Sequence, residues 1–245
     1  MTGGVHEIVL DRPTKANALS AELVDQLHAG LDEAQQAAAR TVVFRSTARQ
    51  FCAGFDLGNL AEETDATLLH RFCRLGLLLE RLYEAPFATV AVVTGAAVGA
   101  GADLALACDH RIGSEHASFR FPGAAFGAVL GTRRLAQVTS VPIATRLAAS
   151  AEVCRSSSAL RYGLLTELLP ADEIAEGIGR IVAELAALPD GTTSQLMRAA
   201  RGPDAGGAVV ADLVRSLVAE PGLRDRIDRY RSASTASVPV RESER

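Results

Sequence analysis

Three short apolar runs, separated by two long amphipathic stretches, set the limits on what this chain can fold into. Residues 6–10 read as a strand, closed by the turn residues Asp11-Arg12-Pro13. Thr41–Ser46, with Val42-Val43-Phe44 at its centre, and residues 88–94 read as short buried strands. Between the first two, Leu23, Val24, Leu27 and Leu31 recur at helical spacing, which predicts a helix over 20–40. Ser20 suits its N-cap, and Glu22 and Asp25 place negative charge where the helix dipole favours it. Between the second and third, Leu68, Leu69, Phe72, Leu75, Leu79 and Leu82 predict a helix over 67–84, stopped by Pro86. Strand, helix, strand in this order implies α/β construction.

Residues 95–101 are rich in small side chains and lead into 102–107, followed by a short strand around His110–Gly113. From Thr132 onward the patterns are almost exclusively helical, broken at Pro142, Pro170, 189–191, Gly202-Pro203 and Pro221-Gly222. The division expected is a core over 1–190, a helical region over 191–231, and a polar, aperiodic tail over 232–245 that should be mobile. Val209, Val210, Leu213, Leu217 and Val218 form an apolar stripe that a lone C-terminal helix would leave wet, so a subunit interface is expected there.

Of the 245 residues, 48% are hydrophobic and 22% charged, enough for a real core in an ordinary globular chain. A net charge of −4 gives no general attraction to nucleic acid, so a polyanionic ligand would need a local basic site. Cys52, Cys73, Cys108 and Cys154 are widely spaced and form no CxxC pair, which points to reduced thiols rather than a zinc site or disulfide framework. The opening ten residues are too short and polar for a signal peptide, and no apolar run reaches transmembrane length. A cytoplasmic protein without a membrane partner is the expectation.

Two glycine-containing turns each follow a buried strand. Gly99-Ala100-Gly101 precedes a helix, whose first N–H groups lack internal partners and lie at the positive end of the dipole. Such an end stabilises negative charge on a phosphate or an enolate oxygen. The turn Cys52-Ala53-Gly54-Phe55-Asp56 could add a second donor, and glycine permits close approach to backbone. The pattern is a poor dinucleotide fingerprint, since Leu104 stands at the third glycine position, and it lacks a P-loop lysine.

Four ordered segments resemble the crotonase (enoyl-CoA hydratase/isomerase) superfamily. Leu10-Asp11-Arg12-Pro13 with Asn17-Ala18-Leu19 is similar to its opening L-x-R-P-x-x-x-N-A-L. Phe51-Cys52-Ala53-Gly54-Phe55-Asp56-Leu57 is similar to its F-C/S-A-G-x-D-L turn. The stretch from Pro86 to Asp109, containing Gly95, Gly99 and Gly101, resembles its P-x-x-A-x-x-G-x-A-x-G-G-G segment, and Tyr162-Gly163-Leu164-Leu165 resembles its later G-L-V.

The resemblance implies an α/β fold, a crotonase-like spiral of ββα units with a helical C-terminal region, and a homotrimer or hexamer. It implies an acyl-CoA thioester as ligand, with the backbone N–H groups of Phe55 and Ala100 forming an oxyanion hole. Ala53 and Leu57 would flank the adenine, and Lys15 and Ala16 would lie near the nucleotide. No metal and no cofactor beyond the CoA of the substrate are implied. Asp56 is expected to brace its own turn, as Asp commonly does. Hydratases of the family carry two glutamates; the first position is Asp103 here, and the second falls on Gly123, which moves no proton. Asp103 is then the one acid/base the resemblance supplies. Hydratase/isomerase chemistry through an enolate is the leading expectation. A non-catalytic acyl-CoA-binding subunit, or a decarboxylase-like member, is the alternative that Gly123 raises.

Overall fold

The structure, a computed structural model, describes residues 4–202 and 208–236. Its frame is a five-stranded sheet of β1 (Val5–Leu10), β2 (Thr41–Ser46), β3 (Ala88–Val93), β5 (His110–Gly113) and β8 (Glu167–Leu168), in that spatial order and parallel throughout. A smaller sheet joins β4 (Ala96–Val98) to β6 (Ser118–Arg120) in parallel and β6 to β7 (Cys154–Arg155) antiparallel.

Parallel strands buried on both faces need apolar side chains at every position. β3 (Ala-Thr-Val-Ala-Val-Val) is buried along its whole length. Its side chains divide by the two-residue period. Ala91 and Val93 enter one core together with Val42 and Phe44 of β2. Ala88, Val90 and Val92 enter a second core with Val43. The first core is covered by α1 (Ala21–Gln36), α2 (Asp65–Tyr83) and α3 (Ala100–Ala107), the second by α7 (Ile174–Ala186) and α8 (Thr192–Arg201). Between them run α4 (Thr132–Val138), α5 (Val141–Ser150) and α6 (Ser156–Tyr162); α9 (Val209–Val218) and α10 (Leu223–Ala236) follow.

Both predicted helices form, although α1 ends at Gln36, four residues short of the expected boundary, and Ser20 caps α1 by accepting the Leu23 N–H at 3.3 Å. The capping box between Thr64 and Thr67 starts α2 two residues earlier than its apolar spacing indicates.

Three expectations are corrected. The region after Thr132 is not purely helical, because β7 and β8 lie within it; two residues each are too few to show a period. The first residues of the expected tail are helical, since α10 runs to Ala236; Ile227, fully buried, anchors that helix where sequence polarity gave no sign. Residues 237–245 of that tail lie outside the described residues. The apolar stripe of α9 is not left wet. Val209, Leu213 and Leu217 are buried against α2, where Gly76 leaves room for Val210: a Cβ added there would stand 3.0 Å from the valine Cγ2. Only Val218 remains well exposed, so the stripe no longer argues for an interface between copies.

Candidate active site

α3 is the centre of the site. Its sequence, Ala-Gly-Ala-Asp-Leu-Ala-Leu-Ala, is buried on every side. An all-round apolar helix belongs inside a core, and small residues let this one lie against the neighbouring turn. A Cβ at Gly101 would meet the Cys52 carbonyl oxygen at 2.5 Å, so only glycine permits that approach.

The turn packed beside α3 is fixed by several bonds. Cys52 and Val98 are joined across it, Val98 N–H donating to the Cys52 carbonyl at 2.9 Å. On its other side, Leu19 N–H donates to the Gly54 carbonyl at 2.7 Å, and Asp56 N–H donates to the Leu19 carbonyl at 3.2 Å. Leu19 thus engages the groups on both sides of Phe55 in a parallel bridge. By the geometry of that ladder, the N–H of Phe55 itself faces the opposite edge. Ala100 is the first residue of α3, where an N–H has no intrahelical partner. Neither N–H has an acceptor among the described residues. The two turns are in contact: a Cβ at Gly54 would lie 3.5 Å from the Ala100 nitrogen and 2.5 Å from the Val98 carbonyl oxygen.

Asp56 braces this turn, as expected. Its Oδ1 accepts the Gly58 N–H at 2.8 Å, and its Oδ2 accepts from Arg12 at 2.5 Å. Burial works against this carboxyl, yet the Gly58 and Arg12 bonds hold it below the usual carboxylate range. Arg71 donates to the Asp56 carbonyl at 3.0 Å and places its guanidinium 4.4 Å over the Phe55 ring.

A cavity of about 170 Å³ opens between these turns and the short helical turn Gly123–Phe126. Ala53, Phe55, Leu57, Ala100, Asp103 and Gly123 all line it. Ala16 lies just behind, its carbonyl accepting the Ala53 N–H at 2.9 Å. Lys15 precedes it on the exposed single turn Pro13–Lys15 and does not line the cavity.

Asp103 is the sole carboxyl among the lining residues, which include no Lys, Arg or His. Burial in apolar surroundings pushes it up to about 7, against the opposing hydrogen bond from Gly131 N–H. Gly131 also makes room for it, because a Cβ there would stand 2.2 Å from Asp103 Oδ1. Behind it, the Tyr83 hydroxyl is buried with no partner among the described residues, and burial followed by the charge of Asp103 pushes it up. At the second acid position, Gly123 admits little: a Cβ would lie 2.8 Å from the Ala128 carbonyl oxygen.

The sequence did not reveal the aromatic wall. Phe72 of α2, Phe126 and Tyr230 of α10 enter the cavity from distant parts of the chain. The spacing of Phe72 marks it as a core residue, and Tyr230 stands in a charged stretch without apolar periodicity.

Known proteins share this chain's sequence pattern and fold. The model of the family described as Enoyl-CoA hydratase/isomerase matches residues 1–204. A probable enoyl-CoA hydratase of Rhodobacter capsulatus is 36% identical over 173 residues, covering 68% of this chain and 66% of that protein. The mitochondrial enoyl-CoA hydratase domain-containing protein 3 of Rattus norvegicus is 30% identical over 191 residues, covering 76% of this chain and 63% of that protein. The matched region therefore spans slightly under two thirds of these relatives' lengths. A crystal structure assigned as an enoyl-CoA hydratase/isomerase from Bordetella parapertussis superposes with a TM-score of 0.87 at 33% identity, covering 98% of this chain and 97% of that one.

Proposed function

The chain belongs to the enoyl-CoA hydratase/isomerase family, and from that premise we propose that it moves a proton along the acyl chain of an enoyl-CoA thioester, using Asp103 as a single acid/base. The observation that carries this reading is the cavity's one carboxyl, pushed up to about 7, with Gly123 at the position where a second acid would stand.

In this mechanism the thioester oxygen accepts from the N–H groups of Phe55 and Ala100. Asp103, ionised, removes a proton from the carbon α to the carbonyl of a β,γ-unsaturated acyl group. The electron pair moves onto the thioester oxygen and is shared through the double bond with the γ carbon, giving a dienolate held by the two N–H donors. Asp103, now protonated, returns the proton to the γ carbon, and the double bond comes into conjugation with the carbonyl. One group suffices, because the proton removed is the proton returned. Hydration, by contrast, normally divides water activation and proton delivery between two groups. A base with a pKa near 7 is half ionised at neutral pH, so it serves in both directions. Ala53 and Leu57 at the cavity, with Ala16 and Lys15 beside it, would receive the CoA portion.

A decarboxylase reading is less well supported. The free carboxylate of a malonyl-type acyl group would enter a cavity lined by no cation and would meet Asp103, and burying an unpaired charge is costly.

The test is to follow conversion of 3-hexenoyl-CoA to 2-hexenoyl-CoA beside hydration of crotonyl-CoA. Isomerisation should exceed hydration, rise as pH climbs through about 7, and fall by about 10²–10⁴-fold in Asp103→Asn. Ala100→Pro deletes one donor at a position where a helix tolerates proline, and should cost about 10²–10³-fold. Faster hydration than isomerisation, with Asp103→Asn unaffected, would overturn the reading.

A further inference from the structure

Five aromatic side chains surround a cavity that holds one acid and no cation. The protein has eight phenylalanines and three tyrosines; Phe55, Phe72, Phe121, Phe126 and Tyr230 all line this space. Four of them form a continuous wall. The Phe55 and Phe72 rings stack with centroids 4.0 Å apart at 10°. Phe72 meets Phe126 at 6.3 Å and 38°, and Phe126 meets Tyr230 at 5.4 Å and 51°. The wall begins on the residue whose N–H is aimed toward the thioester and ends on α10. On the acyl-CoA reading it starts at the seat of the thioester and borders the cavity that the acyl group would enter.

We infer that the acyl group this cavity takes carries an aromatic ring, with Phe126 and Tyr230 selecting for it; the inference rests on the acyl-CoA reading above. Size is the first support. The cavity is about 170 Å³, and an apolar protein cavity of about 150 Å³ is known to take up benzene. Ring geometry is the second. Successive pairs meet at 10°, 38° and 51°, so the wall combines one stacked pair with two tilted ones. Faces are electron-rich and edges electron-poor, and a guest ring gains from offset-stacked or edge-to-face contact with such a wall. Charge is the third. A carboxyl-bearing acyl group finds no cation here, so selection works against it. Besides Asp103, the side-chain polar groups at the cavity are the hydroxyls of Thr132 and Tyr230, which have no partners among the described residues.

Calorimetric titration of the full-length protein with phenylacetyl-CoA, cyclohexylacetyl-CoA and succinyl-CoA tests this. The first two share a carbon skeleton and differ in aromaticity; the third carries a charge. Phenylacetyl-CoA should bind about tenfold more tightly than cyclohexylacetyl-CoA, the gain expected of a good aromatic contact, and succinyl-CoA should bind weakest. Tyr230→Leu, a half-buried position on α10, should bring the phenyl-to-cyclohexyl ratio near one, and Phe126→Leu supplies a second measure if either variant folds poorly. Equal or tighter binding of cyclohexylacetyl-CoA, or a ratio unchanged in both variants, would overturn the inference while leaving the acyl-CoA reading intact. Binding of succinyl-CoA as tight as phenylacetyl-CoA would overturn it as well. Absence of binding by all three would remove the reading beneath it together with the inference.

Discussion

Asp103 sits where two electrostatic effects oppose each other. It stands in the first turns of α3, where the helix dipole favours an anion, yet every residue of that helix is buried. Desolvation prevails, and the carboxyl is pushed up to about 7. The consequence for stability has a definite sign. At low pH the group is neutral in both folded and unfolded chains. As pH rises past the ordinary carboxylate range, the unfolded chain ionises and the folded one resists, so the group progressively destabilises the fold until pH exceeds about 7. Asp103→Asn removes that penalty. Thermal melts should therefore find the variant more stable than wild type at pH 8, with the difference shrinking toward zero near pH 4. A variant less stable at pH 8 than at pH 4, each relative to wild type, would show that the carboxylate is stabilised by a partner. The position of this residue was legible from its place after Gly99-Ala100-Gly101. Its environment was not, because the Gly131 contact joins segments whose proximity no local spacing reveals.

At the scale of elements, α8 is tied down by one side chain. Arg201 donates to both oxygens of Asp109, at 2.8 and 2.6 Å, and to the carbonyls of Ala85 and Phe87, at 2.5 and 3.0 Å. Both charged side chains are largely buried, and Asp109 also accepts from the N–H and hydroxyl of Thr89 at 2.8 Å each. Breaking a buried pair by removing one partner leaves the other charge uncompensated, typically at a cost of about 3–5 kcal/mol. Arg201→Met should lower the melting temperature by on the order of 10 °C, and a shift within one degree would show that the pair contributes nothing net. The sequence announced α1, α2, β2 and β3 clearly, because burial on one face or both imposes a period on six or more residues. It was silent on this tie, since Arg201 and Asp109 are far apart in sequence and each has an ordinary polar neighbourhood. The same reason hid β7 and β8, which exist only as pairing partners for strands already formed.

Across the whole molecule, the cavity joins the two ends of the fold. Asp65, at the start of α2, accepts the N–H groups of Leu223 and Arg224 at 3.1 and 2.8 Å, so it caps α10 from another element. Ser216 of α9 accepts the Val129 N–H at 3.0 Å, which fixes the loop beside the cavity. Loss of such a cap costs about 0.5–2 kcal/mol. Asp65→Ala should accordingly speed amide exchange in α10 by roughly 2–30-fold, while the central strands exchange as before. Unchanged exchange in α10 would mean that packing alone holds the helix. None of the described helices is long and apolar enough to cross a membrane. Tyr230, held through this clip, also sets a schedule. The turn carrying Phe55 emerges early in synthesis, and the ring that completes its wall follows only after nearly all the intervening chain. At about 5–20 residues per second that is an interval of roughly 9 to 35 seconds, during which Phe72 lacks the α10 side of its wall. A nascent chain of this protein can pair its strands before α10 is made and completes the aromatic wall of its cavity last, so a stalled ribosome would display an open aromatic face.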